Sequence, residues 1–195
     1  MPRSGAEARA RLREAALELY LEHGYDATTT AQIAERAGVT ERTYFRHFAD
    51  KREVLFDGEE KLRDVMVSAI ASAPGDTPPL ALVVVAYTAA VPLFVAGRPI
   101  AARRAEVVTV TPALKERAQA KVGALAEAIV AALLDRGIPE ATARLAAQLG
   151  SAAFDRASRE WNAHPRSDLA AQISAAIDEV RILASWPRLA SATPP

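Results

Sequence analysis

The sequence predicts an all-α fold: a three-helix head carrying a helix-turn-helix, then a larger helical body, about nine helices in all. Three observations predict it. Alanine and leucine dominate while β-branched runs are few, a composition that favours helix. Apolar residues recur at three- and four-residue spacing through most of the chain. The breaks between these segments carry glycine, proline and residues able to cap a helix.

Element by element, Leu12, Ala15, Ala16, Leu19 and Tyr20 mark a first helix from about 7 to 23, ended by Gly24. Thr30 can cap a second helix through Ile33, Ala34 and Ala37, which Gly38 breaks. Thr40 can cap a third, with Tyr44 and Phe48 on one face. Asp50 can cap a fourth that starts near Lys51, passes Val54, Leu55, Leu62 and Met66, and exits at Ala73-Pro74-Gly75. Residues 80–95 read as a helix apolar nearly all round and therefore buried, kinked or shortened by Pro92. Gly97-Arg98-Pro99 reads as a turn, 100–108 as a short helix, and Thr111-Pro112 as the start of a long one closed by Gly137-Ile138-Pro139. Two further helices come next, about 140–162 and 167–185, separated by His164-Pro165. The tail, 187–195, rich in proline, serine and alanine, reads as disordered.

Bulk properties narrow the functional class. Half the residues are hydrophobic and a quarter charged, as in globular proteins. Without cysteine there is no disulfide or thiolate metal site. His23, His47 and His164 lie far apart in sequence, so no metal site and no cofactor is expected. A glycine-rich phosphate loop, a nucleophile elbow and a clustered His/Asp/Glu set are all missing, so no catalytic residues are expected and the protein is read as not an enzyme. No apolar segment precedes the first helix, and 80–96 is interrupted by Tyr87, Thr88 and Pro92, so the reading is cytoplasmic with no membrane contact. The 24 basic and 24 acidic residues cancel. Nucleic-acid binders usually carry a basic excess, so positive charge must be sorted by face. Arg3, Arg9, Arg11 and Arg13 precede the motif, and Arg42, Arg46, Lys51 and Arg52 lie in or after it.

The most informative stretch is 28–51. Two short helical segments flank Ala37-Gly38-Val39, and such a pair forms the helix-turn-helix that places its second helix in the DNA major groove. Ile33, Ala34, Ala37, Val39, Tyr44 and Phe48 supply the packing. Glu41, Arg42, Thr43, Arg46 and His47 supply the outward face. Arg42 and Arg46, four apart, share a helix face and can pair bidentately with guanine. Thr43 can meet a thymine methyl or a polar base edge. Thr30 and Thr40, at helix starts, can hold phosphates with free backbone N–H groups. His47 and Lys51 fall toward the phosphate backbone.

Gly24-Tyr25, Thr28-Thr29-Thr30, Ile33-Ala34, Ala37-Gly38-Val39 and Thr43-Tyr44-Phe45-Arg46-His47-Phe48, followed by Lys51, together resemble the DNA-binding head of the tetracycline-repressor (TetR) family over about residues 9–56. The resemblance implies an all-helical homodimeric transcription regulator, usually a repressor, whose C-terminal body binds a small molecule and releases DNA. It implies DNA contacts by Thr30, Thr43, His47 and Lys51. Phe45 is counted among the DNA-binding positions, but it departs from the tyrosine frequent there and cannot make the phosphate bond of that hydroxyl. Tyr44 stands where the family often buries leucine and reads as core with its hydroxyl at the edge. Ala31 replaces an occasional base-reading arginine, which shifts recognition toward Arg42 and Arg46.

The expected division is a head over 1–50 and a ligand-binding and dimerisation body over 51–186, joined by the helix from 51. Leu169, Ile173, Ile177, Val180 and Leu183 form one stripe on the last two helices. Ala143, Ala146, Ala147, Gly150 and Ala153 form a second. Both suit a dimer surface through these helices or an ordinary internal core; the resemblance favours the dimer. Tyr87, Thr88, Arg103, Arg104, Thr109, Gln148 and Asp155 are the candidate ligand-binding residues, polar groups scattered through apolar helices. The expected partners are therefore a double-stranded DNA operator, a second copy of the chain and a small-molecule effector. The alternative is a constitutive DNA-binding regulator, or an activator, with no effector.

Overall fold

A computed structural model describes residues 5–164 and 166–185. Arg3, Pro165 and the 187–195 tail lie outside the described residues. The elements are α1 (Gly5–His23), α2 (Thr30–Arg36), α3 (Glu41–His47), a 3-10 turn (Glu53–Phe56), α4 (Glu59–Ser72), α5 (Pro79–Val110), α6 (Pro112–Asp135), α7 (Glu140–Ala163) and α8 (Leu169–Ala184). The fold is all-α, with eight α-helices and no strand among the described residues.

Three elements differ from expectation. The fourth helix is two pieces. The Asp50 carboxylate accepts from the Arg52 N–H at 2.7 Å and the Glu53 N–H at 3.2 Å. It is not a helix cap as expected: Arg52 stands at the start of the 3-10 turn, and Gly58 at φ +91° separates that turn from α4. A residue there must adopt a left-handed conformation that only glycine enters without strain. The second difference is α5, which runs unbroken through Gly97 and Pro99 for 32 residues. Pro92 and Pro99 each lack a backbone donor, yet both flanks are anchored. Leu82, Val83, Ala86 and Tyr87 are buried in one core, and Val107 is buried in another. Tertiary packing here outweighs local propensity. The continuous α5 is also long and apolar enough to cross a membrane by length and composition, unlike the interrupted segment expected. Only 28% of its apolar window is buried, on the side of Leu82, Val83, Ala86, Tyr87 and Ala90, which corrects the expectation of a helix buried all round. The third difference is the cap of α2, which is Thr29 rather than Thr30.

The chain forms two compact units, 1–61 with 96–124, and 62–95 with 125–195. The division does not follow the expected boundary at residue 50, because the end of α5 and the start of α6 pack with the head. Val107 and Leu114 join Leu12, Leu17, Tyr20, Ile33, Tyr44 and Leu55 in its core, each contributing about 1.5–3 kcal/mol on burial. Arg103 meets Glu14 and Arg117 meets Glu53, both at 2.5 Å. Lys121 bridges Glu53 at 3.3 Å and also pairs with Glu59.

The second unit has its own core, from Met66 and Ile70 of α4 through Val83, Tyr87, Ile129, Leu133 and Ala147 to Trp161, Ile173 and Ile177. The Arg136 guanidinium collects the carbonyls ending α4, Ile70 at 3.0 Å, Ala73 at 2.7 Å and Pro74 at 2.5 Å. This satisfies acceptors that a helix end leaves open. The last two helices form a hairpin in which most of both stripes faces inward, Leu183 being exposed. Ala143, Ala146, Ala147, Gly150, Ala153, Leu169, Ile173 and Ile177 are all buried in this unit's core. Those eight residues are therefore not available to a partner, a correction to their reading as a dimer surface. Large apolar residues on the outside are Leu145 and Leu149 of α7 and Ile182 and Leu183 of α8.

Candidate nucleic-acid interface

The head is built on α1, whose buried residues Leu12, Ala16, Leu19 and Tyr20 form a floor for α2 and α3. Arg36 at the end of α2 bonds Glu22 at 2.9 Å and Glu18 at 3.1 Å, tying α2 to α1. At the start of α2, the Thr29 hydroxyl accepts from the Gln32 N–H at 3.2 Å while Gln32 Oε1 accepts from the Thr29 N–H at 2.8 Å. This reciprocal capping box was readable in the Thr-x-x-Gln spacing. Gly38 makes the turn at φ +66°. Thr40 caps α3 as expected, its hydroxyl accepting from the Thr43 N–H at 3.2 Å.

The packing side of α3 behaves as its sequence implies. Tyr44 is 0% exposed, and its hydroxyl reaches the edge, donating to the Asp50 carbonyl at 3.0 Å. Phe48 is buried beside it, with the Arg9 guanidinium 5.1 Å from the ring centroid. The opposite side presents Glu41, Arg42, Phe45 and Arg46, all exposed. Arg42 and Arg46 carry no ion pair or hydrogen bond among the described residues. Phe45 is 53% exposed between them. A rigid helix thus displays two uncommitted guanidiniums and one bare aromatic ring.

The other named residues are partly committed. The Thr30 hydroxyl donates to Glu41 Oε1 at 2.6 Å, joining the start of α2 to α3. Thr43 shares a 3.1 Å hydroxyl contact with Thr40. His47 is half-buried, and its Nε2 is buried without a partner. Burial, with Arg46 and Arg9 nearby, holds His47 below the usual imidazole value, so it is neutral at pH 7. The Lys51 ammonium donates to the Tyr25 carbonyl at 2.9 Å and the Thr28 carbonyl at 3.2 Å, and lies 4.2 Å from the centroid of the Tyr25 ring. Its own carbonyl accepts from the Tyr20 hydroxyl at 2.5 Å. Lys51 is therefore the clasp of the loop between α1 and α2, a role invisible in sequence because its partners are main-chain atoms 23 and 26 residues away.

The seven candidate ligand residues are divided between the two units. Arg103, Arg104 and Thr109 belong to the first unit; Tyr87, Thr88, Gln148 and Asp155 belong to the second. Arg103 pairs with Glu14, and the exposed Thr109 hydroxyl donates to its own helix at Ala105 O, 2.6 Å. Thr88 and Gln148 are exposed, and Asp155 pairs with Arg159 along α7. Tyr87 faces the interior of the second unit, and Arg104 is half-buried in the first, with its Nη1 3.4 Å from the Leu55 carbonyl. Tyr87 stacks on Phe154 with ring centroids 4.4 Å apart, and its hydroxyl lies 3.0 Å from Ser151 Oγ.

A capped, tightly turned helix pair on an α1 floor, with an exposed basic second helix, defines a helix-turn-helix protein. The family described as "Bacterial regulatory proteins, tetR family" matches residues 12–57, so over this head the chain is similar to that family. The HTH-type transcriptional regulator TcmR of Streptomyces glaucescens is 42% identical over 72 residues, 37% of this chain and 32% of that protein. The match thus spans about a third of the relative's length. Beyond the head, likeness is in fold. The SmeT–triclosan complex, SmeT being the repressor of a Stenotrophomonas maltophilia efflux pump, superposes with TM-score 0.60 at 23% identity over 90% of each chain. Thermus thermophilus FadR, described as a transcriptional repressor in complex with lauroyl-CoA, superposes with TM-score 0.55 at 21% identity, over 96% of this chain and 98% of that one.

Proposed function

We propose that this protein is a DNA-binding transcriptional regulator that acts as a homodimer, lays α3 in the major groove of a palindromic operator, and is released from it by a small molecule. The observation that carries the reading is the exposed face of α3. Arg42 and Arg46 are held on a rigid helix yet bonded to nothing among the described residues, and a bidentate arginine–guanine pair contributes about 1–3 kcal/mol of discrimination. Thr40 and Thr43, the start of Thr30's helix and the imidazole of His47 line the same region and suit phosphate or base-edge contacts.

Two heads are needed, because half-sites about one DNA turn apart are read by symmetric dimers. Leu145, Leu149, Ile182 and Leu183 are exposed on the last two helices, and they support a dimer through α7 and α8. A small-molecule effector is supported by the fold relatives solved with triclosan and with lauroyl-CoA. In this reading the effector changes the spacing of the two recognition helices; a coupling of about 1–3 kcal/mol alters operator affinity roughly 5- to 150-fold.

The test is fluorescence anisotropy on an operator selected from random duplexes. Arg46→Ala is expected to weaken specific binding by about 1–3 kcal/mol and non-specific binding far less. Equal losses on every sequence demote Arg46 to a phosphate contact. An effector that occupies the dimer without changing operator affinity instead supports a constitutive regulator.

A further inference from the structure

The head unit carries an open groove of about 480 Å³ that takes no residue from α2 or α3. It lies where the end of α1 and the loop after it meet the end of α5 and the start of α6. Its volume falls in the range of small-molecule sites. The walls are apolar. Val107 is buried at the floor, while Leu21 is 41% and Val110 79% exposed.

Three polar groups on this groove are uncommitted. Thr111 is only 9% exposed. Its N–H and carbonyl are used within the chain, but its hydroxyl has no hydrogen-bond partner among the described residues. A buried hydroxyl left unpaired costs free energy, and Thr111 lines the groove. The exposed Asp26 and Glu106 line it too, and neither carboxylate has an ion pair or hydrogen bond among the described residues.

The electrostatics of the groove select a cation. Both α1 and α5 end here, at His23 and Val110, and a helix C-terminus carries partial negative charge on its open carbonyls. The helix that begins here, α6, starts with Pro112, which has no N–H to offer an anion. Among the described residues, no lysine or arginine lines the groove. Lys51, beside the Tyr25 ring, is spent on the Tyr25, Asp26 and Thr28 carbonyls. Arg103, three residues before Glu106, is bonded to Glu14 at 2.5 Å. His23, also on the lining, lies 3.6 Å from the Glu22 carboxylate.

We propose that this groove binds a small organic cation, an amine with an apolar body. Asp26 and Glu106 meet its charge, Leu21, Val107 and Val110 meet its body, and the Thr111 hydroxyl accepts from an ammonium N–H. Occupancy ties the loop that leads into α2 to the end of α5 and the start of α6, beside the clasp that Lys51 already forms. The site is separate from any effector site in the second unit. It is tested without DNA, so its failure leaves the reading of the DNA-binding face standing.

The experiment is an amide NMR titration of the full chain, at constant ionic strength, with benzylammonium, benzyltrimethylammonium, benzyl alcohol and benzenesulfonate. Both cations are expected to give saturable shifts confined to residues 20–27 and 106–114. The alcohol and the sulfonate should bind at least about tenfold more weakly, having no charge or the wrong one. Asp26→Asn and Glu106→Gln, both at exposed positions, should each raise the Kd of either cation about fivefold, the worth of one close charge pair in water. Together they should raise it more than tenfold. Thr111→Val should weaken benzylammonium about two- to tenfold and leave the quaternary cation, which has no N–H, unchanged. The proposal is overturned by cation shifts that are absent, unsaturable or scattered over the surface. It is overturned equally by benzenesulfonate binding as tightly as the cations, or by the double variant binding them as tightly as wild type. A Thr111→Val effect equal on both cations overturns the part given to the hydroxyl.

Discussion

Gly150 sits in the middle of α7, where glycine costs a helix about 1 kcal/mol relative to alanine. Its presence is explained by α5. A Cβ at position 150 would stand 3.1 Å from the Val83 Cβ and closer still to its Cγ1. Val83 is 0% exposed and, being β-branched, has little rotamer freedom with which to yield. Overpacking a core of this kind costs about 1–3 kcal/mol, and the severity of the overlap puts Gly150→Ala toward the upper part of that range. After about 1 kcal/mol of regained helix propensity, the net loss is about 1–2 kcal/mol, or about 2–8 °C in Tm for a chain of this size. Urea denaturation of Gly150→Ala, Val83→Ala and the double variant forms a cycle. Val83→Ala alone costs roughly 2 kcal/mol in lost burial and cavity. In the double variant each change should relieve the other, with a coupling of about 1 kcal/mol or more. Gly150→Ala as stable as wild type, or strictly additive with Val83→Ala, refutes the reasoning. A loss that disappears at high protein concentration refutes it differently, by moving Gly150 to a surface between copies.

Lys51→Met should loosen the loop between α1 and α2, leaving the Tyr25 and Thr28 carbonyls without their donor. The expected loss is about 2–3 kcal/mol, read as faster amide exchange over residues 24–28; unchanged exchange there rules out the clasp. Glu53 is held below its ordinary value of 4.5 by the hydrogen bond from Arg117, with Lys121 adding to it. A carboxyl group more acidic in the folded state contributes stability above its unfolded value, and that contribution is lost as pH falls through the folded value. The gap in urea midpoint between wild type and Glu53→Gln should therefore be full at pH 7 and shrink below about pH 4.5. A gap independent of pH removes Glu53 from this role.

Much of the head is legible in sequence because its determinants are local. A cap, a turn glycine and helical spacing act within four residues, so Thr40, Gly38 and the buried Tyr44 and Phe48 stand where the pattern puts them. The shift of the α2 cap from Thr30 to Thr29 is a local error, since Gln32 three residues after Thr29 signals it. Other losses are different in kind. Nothing near Lys51 in sequence indicates that its ammonium closes a loop through backbone carbonyls. Nothing near Arg103 indicates that its carboxylate is Glu14, 89 residues earlier. The candidate ligand residues were chosen for polarity within apolar helices, a criterion that takes no account of which side of the helix faces inward or of which unit the segment joins.

The sequence by itself determined the all-α class, the helix-turn-helix and the side of α3 that carries Arg42, Phe45 and Arg46, since periodicity and short-range capping dictate them. Only the tertiary structure decided that α5 runs unbroken past Gly97 and Pro99, that the end of α5 and the start of α6 belong to the head, and that the small-residue stripe of α7 is spent on its own core. The physical reason is common to all three. Burial against distant segments is worth several kcal/mol, more than the local cost of one proline or glycine, and a single helix cannot reveal which distant segment will cover it.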